Sequence, residues 1–391
     1  MLPTELTDYM AFSNLLDDEE KLVRETARTF VNNEVIPIID KHAQEETFPT
    51  HLIPLMGEMG FFGPTLPQRY GCAELSNVAY GLLMYELERG DSGLRSMASV
   101  QGSLVMYPVF RYGSEDQKQR WLPKMATGEA IGCFGLTEPD FGSNPSGMRT
   151  KAVKEGGGKW RINGTKMWIT NGSIADVAIV WAQTEDGVRG FLVEKDTPGF
   201  NAPRMKGKWS LRASVTSELI LDNVIVNEEQ ALLPEAKGIK GPLSCLTQAR
   251  YGIAWGALGA ADNCYQTALE YAKSRIQFDR PIAGFQLQQR KLAEMVTELT
   301  KGQLLALQLG RLKDTGTFSP AQVSMAKMNN VDMALKICRT ARTMLGANGI
   351  MGEYPIMRHA NNLESVYTYE GTHDMHTLII GQEVTGIAAF R

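Results

Sequence analysis

Trp160-Arg161-Ile162-Asn163-Gly164-Thr165-Lys166-Met167-Trp168 is the stretch that decides the fold. Two short runs of aromatic and β-branched residues flank Asn163-Gly164, the dipeptide best suited to a two-residue hairpin turn. The spacing therefore predicts a hairpin. More strand signals lie around it. Val177 to Ala182 is a short apolar run that suits a buried strand, and Asp186-Gly187 marks a turn. Gly190-Phe191-Leu192-Val193, Leu219-Ile220-Leu221 and Val224-Ile225-Val226 are again strand-like. Together they predict a compact antiparallel β domain over residues 131–240.

Helical signals stand on both sides. Asp17 and Glu20 sit at capping-box spacing, and Val23, Ala27, Phe30 and Val31 follow on one helix face, with Pro37 soon after. Beyond Gly241-Pro242, residues 243–273 contain no proline, and Leu292, Met295, Leu299, Ala306 and Leu309 form one helical stripe. Ser319-Pro320-Ala321-Gln322 combines an N-cap, a proline at the first helical position and a capping-box glutamine. That helix should run to about Leu345, with Gly346 ending it. The order is α, β, α. The expected fold is α+β, mostly α, with domains at 1–130, 131–240 and 241–391. No fixed-period repeat or low-complexity tail interrupts it.

The chain has 391 residues, enough for a sizeable core and two or three domains. Its 43% hydrophobic and 21% charged residues are those of a soluble globular protein. Net charge is 40 − 44 = −4, so no basic surface for nucleic acid is announced. No apolar run approaches the roughly 18 residues needed to span a bilayer. The acidic N-terminus resembles neither a signal peptide nor an Arg-rich transit peptide. A bacterial cytoplasm is expected, or a mitochondrial matrix once a transit peptide has been removed. Cys72, Cys133, Cys245, Cys264 and Cys338 contain no CxxC pair and read as small buried hydrophobes. The five histidines give no HExxH; His373 and His376 are three apart, and without further ligands nearby they read as ordinary polar positions.

Chemistry concentrates in Tyr369-Glu370-Gly371-Thr372-His373-Asp374. A carboxylate stands before a glycine that admits close approach, and Thr372 can cap a helix whose N-terminus attracts electron-rich groups. A turn with an ordinary N-cap is the plain alternative. Phe134 to Ser143 offers two hydroxyls and two glycines; by pattern alone it is a turn-rich domain entrance, and a loop for an extended polar ligand is the other reading. Trp168 reads as core, Arg95 as a surface ion pair worth roughly 0–1 kcal/mol, and Arg275 as an exposed interhelical arginine or a phosphate partner. No GxGxxG opens a helix after a strand, and no Walker or GxSxG motif is present.

Taken in order, these segments resemble the acyl-CoA dehydrogenase family, and within it the branch that acts on glutaryl-CoA. The carrying stretches are Glu86 to Ser96, Cys133 to Pro139, Trp168 to Asn171, Ala249 to Gly256 and Thr368 to Asp374. The resemblance covers nearly the whole chain. It implies a helical N-terminal domain, a central β-barrel domain, a C-terminal four-helix bundle, FAD and a homotetramer. By the same carry-over, FAD lies against Phe134, Leu136, Thr137, Gly142, Ser143, Trp168, Ile169, Thr170, Thr372, Asp374 and Phe390. Arg275, Phe278 and Gln286 meet its adenosine diphosphate part from an adjacent subunit. Ser143, Arg250 and Gly371 contact the acyl-CoA, and Arg95, with Ser96, holds a second substrate carboxylate. Glu370 is the base at Cα, while Glu88 and Tyr369 match members that decarboxylate glutaryl-CoA to crotonyl-CoA. Electron-transfer flavoprotein is the implied acceptor, in lysine and tryptophan breakdown. A short-chain acyl-CoA dehydrogenase or oxidase remains the alternative, and a non-catalytic CoA-binding protein a more remote one. Asn144, Leu94 and Ala347 depart from the family pattern.

Overall fold

The computed structural model describes residues 7–389. The first part is helical: α1 (Asp18–Phe30), α2 (Ile36–Glu45), α3 (Leu52–Glu58), α4 (Asn77–Gly90), α5 (Ser92–Ser99), α6 (Tyr107–Tyr112) and α7 (Glu115–Ala126). The Asp17–Glu20 capping box opens α1. A π-helical stretch, Val31–Val35, carries the chain into α2, where Pro37 sits in the first turn and needs no amide partner. The predicted face of α1 is therefore real, but the chain stays helical past it.

Strands follow: β1 (Gly132–Gly135), β2 (Lys151–Glu155), β3 (Lys159–Thr170), β4 (Val177–Thr184), β5 (Gly187–Glu194), β6 (Phe200–Asn201) and β7 (Thr216–Asn227). The sheet runs β1-β4-β2-β3-β7-β6, with β5 also on β4. Most pairings are antiparallel, as expected, but β1 and β2 both meet β4 in parallel. β4 explains its own apolar run. Ala178, Val180 and Ala182 face a core inside the β domain, while Val177, Ile179 and Trp181 join the core shared with the helices. A strand buried on both faces does not alternate in polarity.

The Asn163-Gly164 hairpin is corrected. Residues 159–170 form one continuous strand, and the register against β7 steps between Ile162 and Gly164. A type I′ turn needs φ > 0 at both central residues; here Gly164 has φ 152°, and Asn163 is not in the left-handed region. Asn163 instead accepts a hydrogen bond from the Asn223 amide at 2.8 Å, across the bulge. Gly164 is required because a Cβ there would lie 2.4 Å from Thr150 Oγ1. The true reversal is at Gly157 and Gly158, both left-handed, between β2 and β3. A second register step, between Lys166 and Ile169, leaves Trp168 at φ 64° and 60% exposed. Trp168 is not core.

The short α8 (Glu228–Ala231) leads to α9 (Lys240–Ser274), then a small hairpin of β8 (Ile276–Gln277) and β9 (Arg280–Pro281). Next come α10 (Gln286–Asp314), α11 (Pro320–Met344), α12 (Ile356–Thr368) and α13 (His373–Thr385). The Ser319–Gln322 capping box opens α11, and Gly346 follows it at φ 59°. α9 is buried without interruption from Ala249 to Tyr265, so it is the axis of the C-terminal bundle. It packs on α4, α10 and α11. All five cysteines are buried free thiols. No helix among the described residues is long and apolar enough to cross a membrane.

α4 and α9 touch through glycine. A Cβ on Gly81 would meet the Trp255 ring at 2.4 Å, and one on Gly259 would meet the Tyr85 carbonyl oxygen at 1.9 Å. Helix propensity alone favours alanine over glycine by about 1 kcal/mol. The clash should reverse that sign. Gly259→Ala is expected to lower the thermal midpoint, with a loss of about 1–3 kcal/mol; an unchanged or higher midpoint would contradict this packing.

Candidate active site

Tyr369 to Thr372 link α12 to α13 in a turn of unusual backbone. The Tyr369 amide still donates to Ser365 O at 2.9 Å, closing α12. Glu370 then takes φ 53° and Gly371 φ 100°. Thr372 caps α13, its hydroxyl accepting from the Met375 amide at 3.2 Å. A left-handed glutamate is costly, of order 1–2 kcal/mol. Side chains from two other helices hold it. Arg250, on α9, donates from Nε to the Glu370 carbonyl at 2.6 Å. Lys327, on α11, donates from Nζ to the carbonyls of Gly371 at 2.9 Å, Tyr369 at 3.2 Å and Tyr367 at 3.4 Å. Gly371 leaves room for its neighbours: a Cβ would sit 3.0 Å from the His376 ring and 3.2 Å from Arg250 Nη2.

The Glu370 carboxylate is thereby aimed inward. Its Oε2 is out of solvent contact and has no hydrogen-bond partner. Burial pushes its pKa up to about 7, although Arg95, Arg250 and Lys327 pull the other way. A carboxylate poised near neutrality can exchange a proton at neutral pH.

Beside it lies a buried charge network. Arg95 Nε donates to Glu88 Oε2 at 2.6 Å, and both side chains are shut off from solvent. Arg95 Nη2 donates to the Tyr369 hydroxyl, which also meets Ser96 Oγ at 3.2 Å. Ser92 Oγ donates to the other Glu88 oxygen at 2.8 Å. Asp91 builds the corner between α4 and α5 that presents these groups, accepting from the Gly93 amide at 2.7 Å and from Arg358 at 2.8 Å. Gly256 on α9 makes the space, since a Cβ there would fall 2.0 Å from Glu88 Oε2. Burial opposes the Arg95 charge, but Glu88 and Tyr369 outweigh it and hold the guanidinium protonated. Burial pushes the Tyr369 phenol up to about 12, against the pull of Arg95. Arg95 is not the surface ion pair its pattern suggested.

A second group of residues lines the edge between β1 and β3. Phe134, Leu136 and Ile169 are buried, Thr137 and Thr170 half-buried, and Gly142 and Ser143 exposed. The Met167 amide donates to the Thr137 carbonyl at 2.9 Å. Lys166, which the sequence reading passed over, ties this edge from below: its Nζ reaches Leu136 O at 3.1 Å and Glu138 Oε1 at 2.9 Å. Glu138 also accepts from the amides of Arg149 and Thr150, at 2.6 and 2.9 Å. Above this frame Trp168 presents its indole outward.

Arg275, Phe278 and Gln286 are exposed on the connection between α9 and α10, with Phe278 87% exposed. Arg275 follows Arg250 along α9 by 275 − 250 = 25 residues, roughly 37 Å of helix. The two arginines cannot serve one site in one chain. Asp374 is exposed in the first turn of α13, and Phe390 lies outside the described residues. His373 stacks on Tyr367 at 4.6 Å, whereas His376 is fully buried, so the two do not share surroundings. Burial, with Lys327 and Arg250 nearby, takes the His376 pKa down to about 3 and keeps it neutral. The sequence did carry a signal for Lys327. Val323, Lys327, Asn330 and Ala334 follow at i, i+4, i+7 and i+11 on the buried face of α11.

A carboxylate with one oxygen out of solvent stands next to a buried guanidinium, on a helix–β–helix frame with an exposed aromatic edge. The chain belongs to the acyl-CoA dehydrogenase family. Its N-terminal domain profile matches residues 17–129, its middle domain 133–224 and its C-terminal domain 236–385. An acyl-CoA dehydrogenase of Bacillus subtilis is 36% identical over 373 residues, covering 94% of this chain and 98% of the relative. Glutaryl-CoA dehydrogenase from Mycobacterium smegmatis has a solved structure that is 57% identical, with TM-score 0.97, covering 99% of this chain and all of that one. A structure of such an enzyme from the same organism in complex with FADH2 is 55% identical, with TM-score 0.95, and covers 97% of each chain.

FAD is the cofactor of this family, and the residues here fit it. The Trp168 indole is an exposed platform at a strand bulge. The Thr137, Ser143 and Thr170 hydroxyls have no side-chain hydrogen bond among the described residues. When bound, FAD supplies the two-electron acceptor.

Removing one partner of a buried pair leaves the other charge unpaired, a loss of about 3–5 kcal/mol. Arg95→Met should lower the unfolding free energy by an amount in that range, seen as a lower thermal midpoint, and adding Glu88→Gln to the same chain should recover most of it. Equal midpoints for Arg95→Met and wild type would contradict the pairing.

Proposed function

We propose that this chain oxidises and decarboxylates glutaryl-CoA to crotonyl-CoA and CO2, with Glu370 as the base. The observation that carries the reading is the buried Arg95, held by Glu88 and Tyr369 next to the Glu370 turn, with Nη1 left for a ligand. A cation in an acyl pocket has no use for an alkyl chain. A second substrate carboxylate needs one, because an unpaired buried charge is costly.

The chemistry follows from the groups present. The thioester carbonyl acidifies the Cα proton, and Glu370 Oε2 takes it. A hydride equivalent leaves Cβ for the acceptor on the opposite face, giving glutaconyl-CoA. Its distal carboxylate is now γ to the carbonyl. The bond to that carboxylate breaks, CO2 departs, and the electron pair stays in a dienolate. Protonated Glu370 is the nearest acid to return a proton, which yields crotonyl-CoA. Glu88 keeps Arg95 neutralised once the substrate carboxylate has gone, so the buried cation is never left alone. The same proposal gives Arg250, Gly371, Ser96 and Ser143 to substrate binding. It gives Phe134, Leu136, Thr137, Gly142, Trp168, Ile169, Thr170, Thr372, Asp374 and Phe390 to FAD.

The exposed Arg275, Phe278 and Gln286, some 37 Å of helix from Arg250, fit a role at the flavin of a neighbouring subunit, hence a homotetramer. Electron-transfer flavoprotein is the proposed acceptor and lysine and tryptophan breakdown the proposed pathway. A bacterial cytoplasm or mitochondrial matrix is the proposed location.

Wild type should turn over glutaryl-CoA in preference to butyryl-CoA, and Arg95→Ala should remove about 2–5 kcal/mol of that preference. Butyryl-CoA preferred by wild type, with a ratio indifferent to Arg95→Ala, would end the glutaryl reading. Headspace CO2 released in step with turnover tests decarboxylation separately. Because burial holds Glu370 near 7, its carboxylate form is lost below that pH. The kcat/KM profile should fall about tenfold per unit on its acid side, with a midpoint near 7. A rate level from pH 7 to 5 would rule out this base.

A further inference from the structure

Lys327 is a lysine in the wrong place for an ordinary structural role. It sits on the apolar face of α11 and is 1% exposed. A buried ammonium is normally paired with a carboxylate. No such ion pair is formed here; its hydrogen bonds go to the carbonyls of Tyr367, Tyr369 and Gly371. Arg250 takes the carbonyl between the last two, that of Glu370. Three successive carbonyls, 369, 370 and 371, are thus each held by a buried cation. They belong to the one segment, among the described residues, in which a non-glycine and a glycine in succession adopt positive φ. Two helices, α9 and α11, reach in to fix a turn that carries a single reactive group.

We propose that Lys327 is a positioning residue for the reaction: it clamps the left-handed turn so that the Glu370 carboxylate stays aimed into the site, and its charge keeps that carboxylate ionisable. The proposal rests on Glu370 being the base. Arg250 alone cannot do both tasks, since its Nε bond reaches only the Glu370 carbonyl. The groups facing the pair from each surrounding element are few. Arg250 comes from α9, Arg95 from α5, Glu88 and Tyr80 from α4, Tyr369 from the turn and His376 from α13. His376 is held neutral, and Glu88 is engaged with Arg95. That leaves Lys327, Arg250 and Arg95 as the cations acting on Glu370. Burial draws the Lys327 ammonium down to about 7, and Glu370 draws it back. Each of the two groups therefore supports the charged form of the other.

The test uses FAD-loaded enzyme, with glutaryl-CoA and butyryl-CoA as substrates. Lys327→Met keeps the length and removes the donors and the charge. It should retain FAD and its spectrum, lose ~10²-fold in kcat with little change in KM, and move the acid limb of the rate profile up by roughly one pH unit. Lys327→Gln keeps an amide donor for the carbonyls without the charge. It should recover part of kcat yet still show the raised limb, and it serves if the methionine variant does not accumulate as holoenzyme. Lys327→Arg should bring the limb back towards wild type. A purely structural lysine would lower the thermal midpoint and leave the limb in place, and that result overturns the proposal. Glu370→Gln separates the two claims. If it is inactive while the Lys327 variants keep the wild-type limb, only the lysine proposal fails. If it turns over normally, the base assignment itself fails.

Discussion

The ion pair of Glu88 and Arg95 is the constraint around which the rest of this structure is arranged. Taking two charges out of water is expensive, and their attraction offsets the cost only with good geometry and further hydrogen bonds. Both conditions are met by neighbours. Ser92 satisfies the second Glu88 oxygen, Tyr369 takes an Arg95 donor, and Gly256 removes the side chain that would otherwise occupy the space. Asp91 fixes the α4–α5 corner and is itself held by Arg358 and Asn362 from α12. One buried pair therefore ties together α4, α5, α9 and α12, and the Tyr369 contact carries the tie into the turn where Glu370 stands.

That turn concentrates charge in a way that the chemistry can use. Arg95, Arg250 and Lys327 surround one unpaired carboxylate, and burial still outweighs all three and lifts its pKa to about 7. Without the cations a buried glutamate would be protonated and useless as a base at neutral pH. Without burial it would be a weaker base for the proposed abstraction of a carbon-bound proton. The left-handed backbone at Glu370 is part of the same arrangement. It is a strained conformation kept by cations on its carbonyls, as local strain at functional sites commonly is.

Much of this was legible in the chain, for identifiable reasons. The α–β–α order came from periodicity, and the capping boxes at Asp17 and Ser319 marked two helix starts correctly because their chemistry is local. Asn163-Gly164 misled because a bulge and a hairpin turn use the same residues, and only the β2 and β7 partners distinguish them. Trp168 was read as core, since exposure at a bulge depends on register. Pattern alone made Arg95 a surface residue; the resemblance placed it in the pocket, and the structure shows it buried. Lys327 and Lys166 were not found, and His376 was read as an ordinary polar position, because a buried polar group is recognised by partners distant in sequence. For Lys327 the helical stripe on α11 held the signal, and its meaning required the 367–371 carbonyls.

The β domain supplies a fixed edge and the helical domains a fixed turn carrying Glu370. Lys166 and Glu138 lock the first, Arg250 and Lys327 the second. An acyl thioester held between them would have one face towards Glu370 and its far end near Arg95. The most direct measurement is an anaerobic titration of the FAD-loaded protein with glutaryl-CoA, followed by flavin absorbance, with Glu370→Gln alongside. The account predicts that the wild-type flavin bleaches as crotonyl-CoA forms, and that the variant binds the ligand without bleaching. An unbleached wild type, or equal bleaching in both proteins, would contradict it.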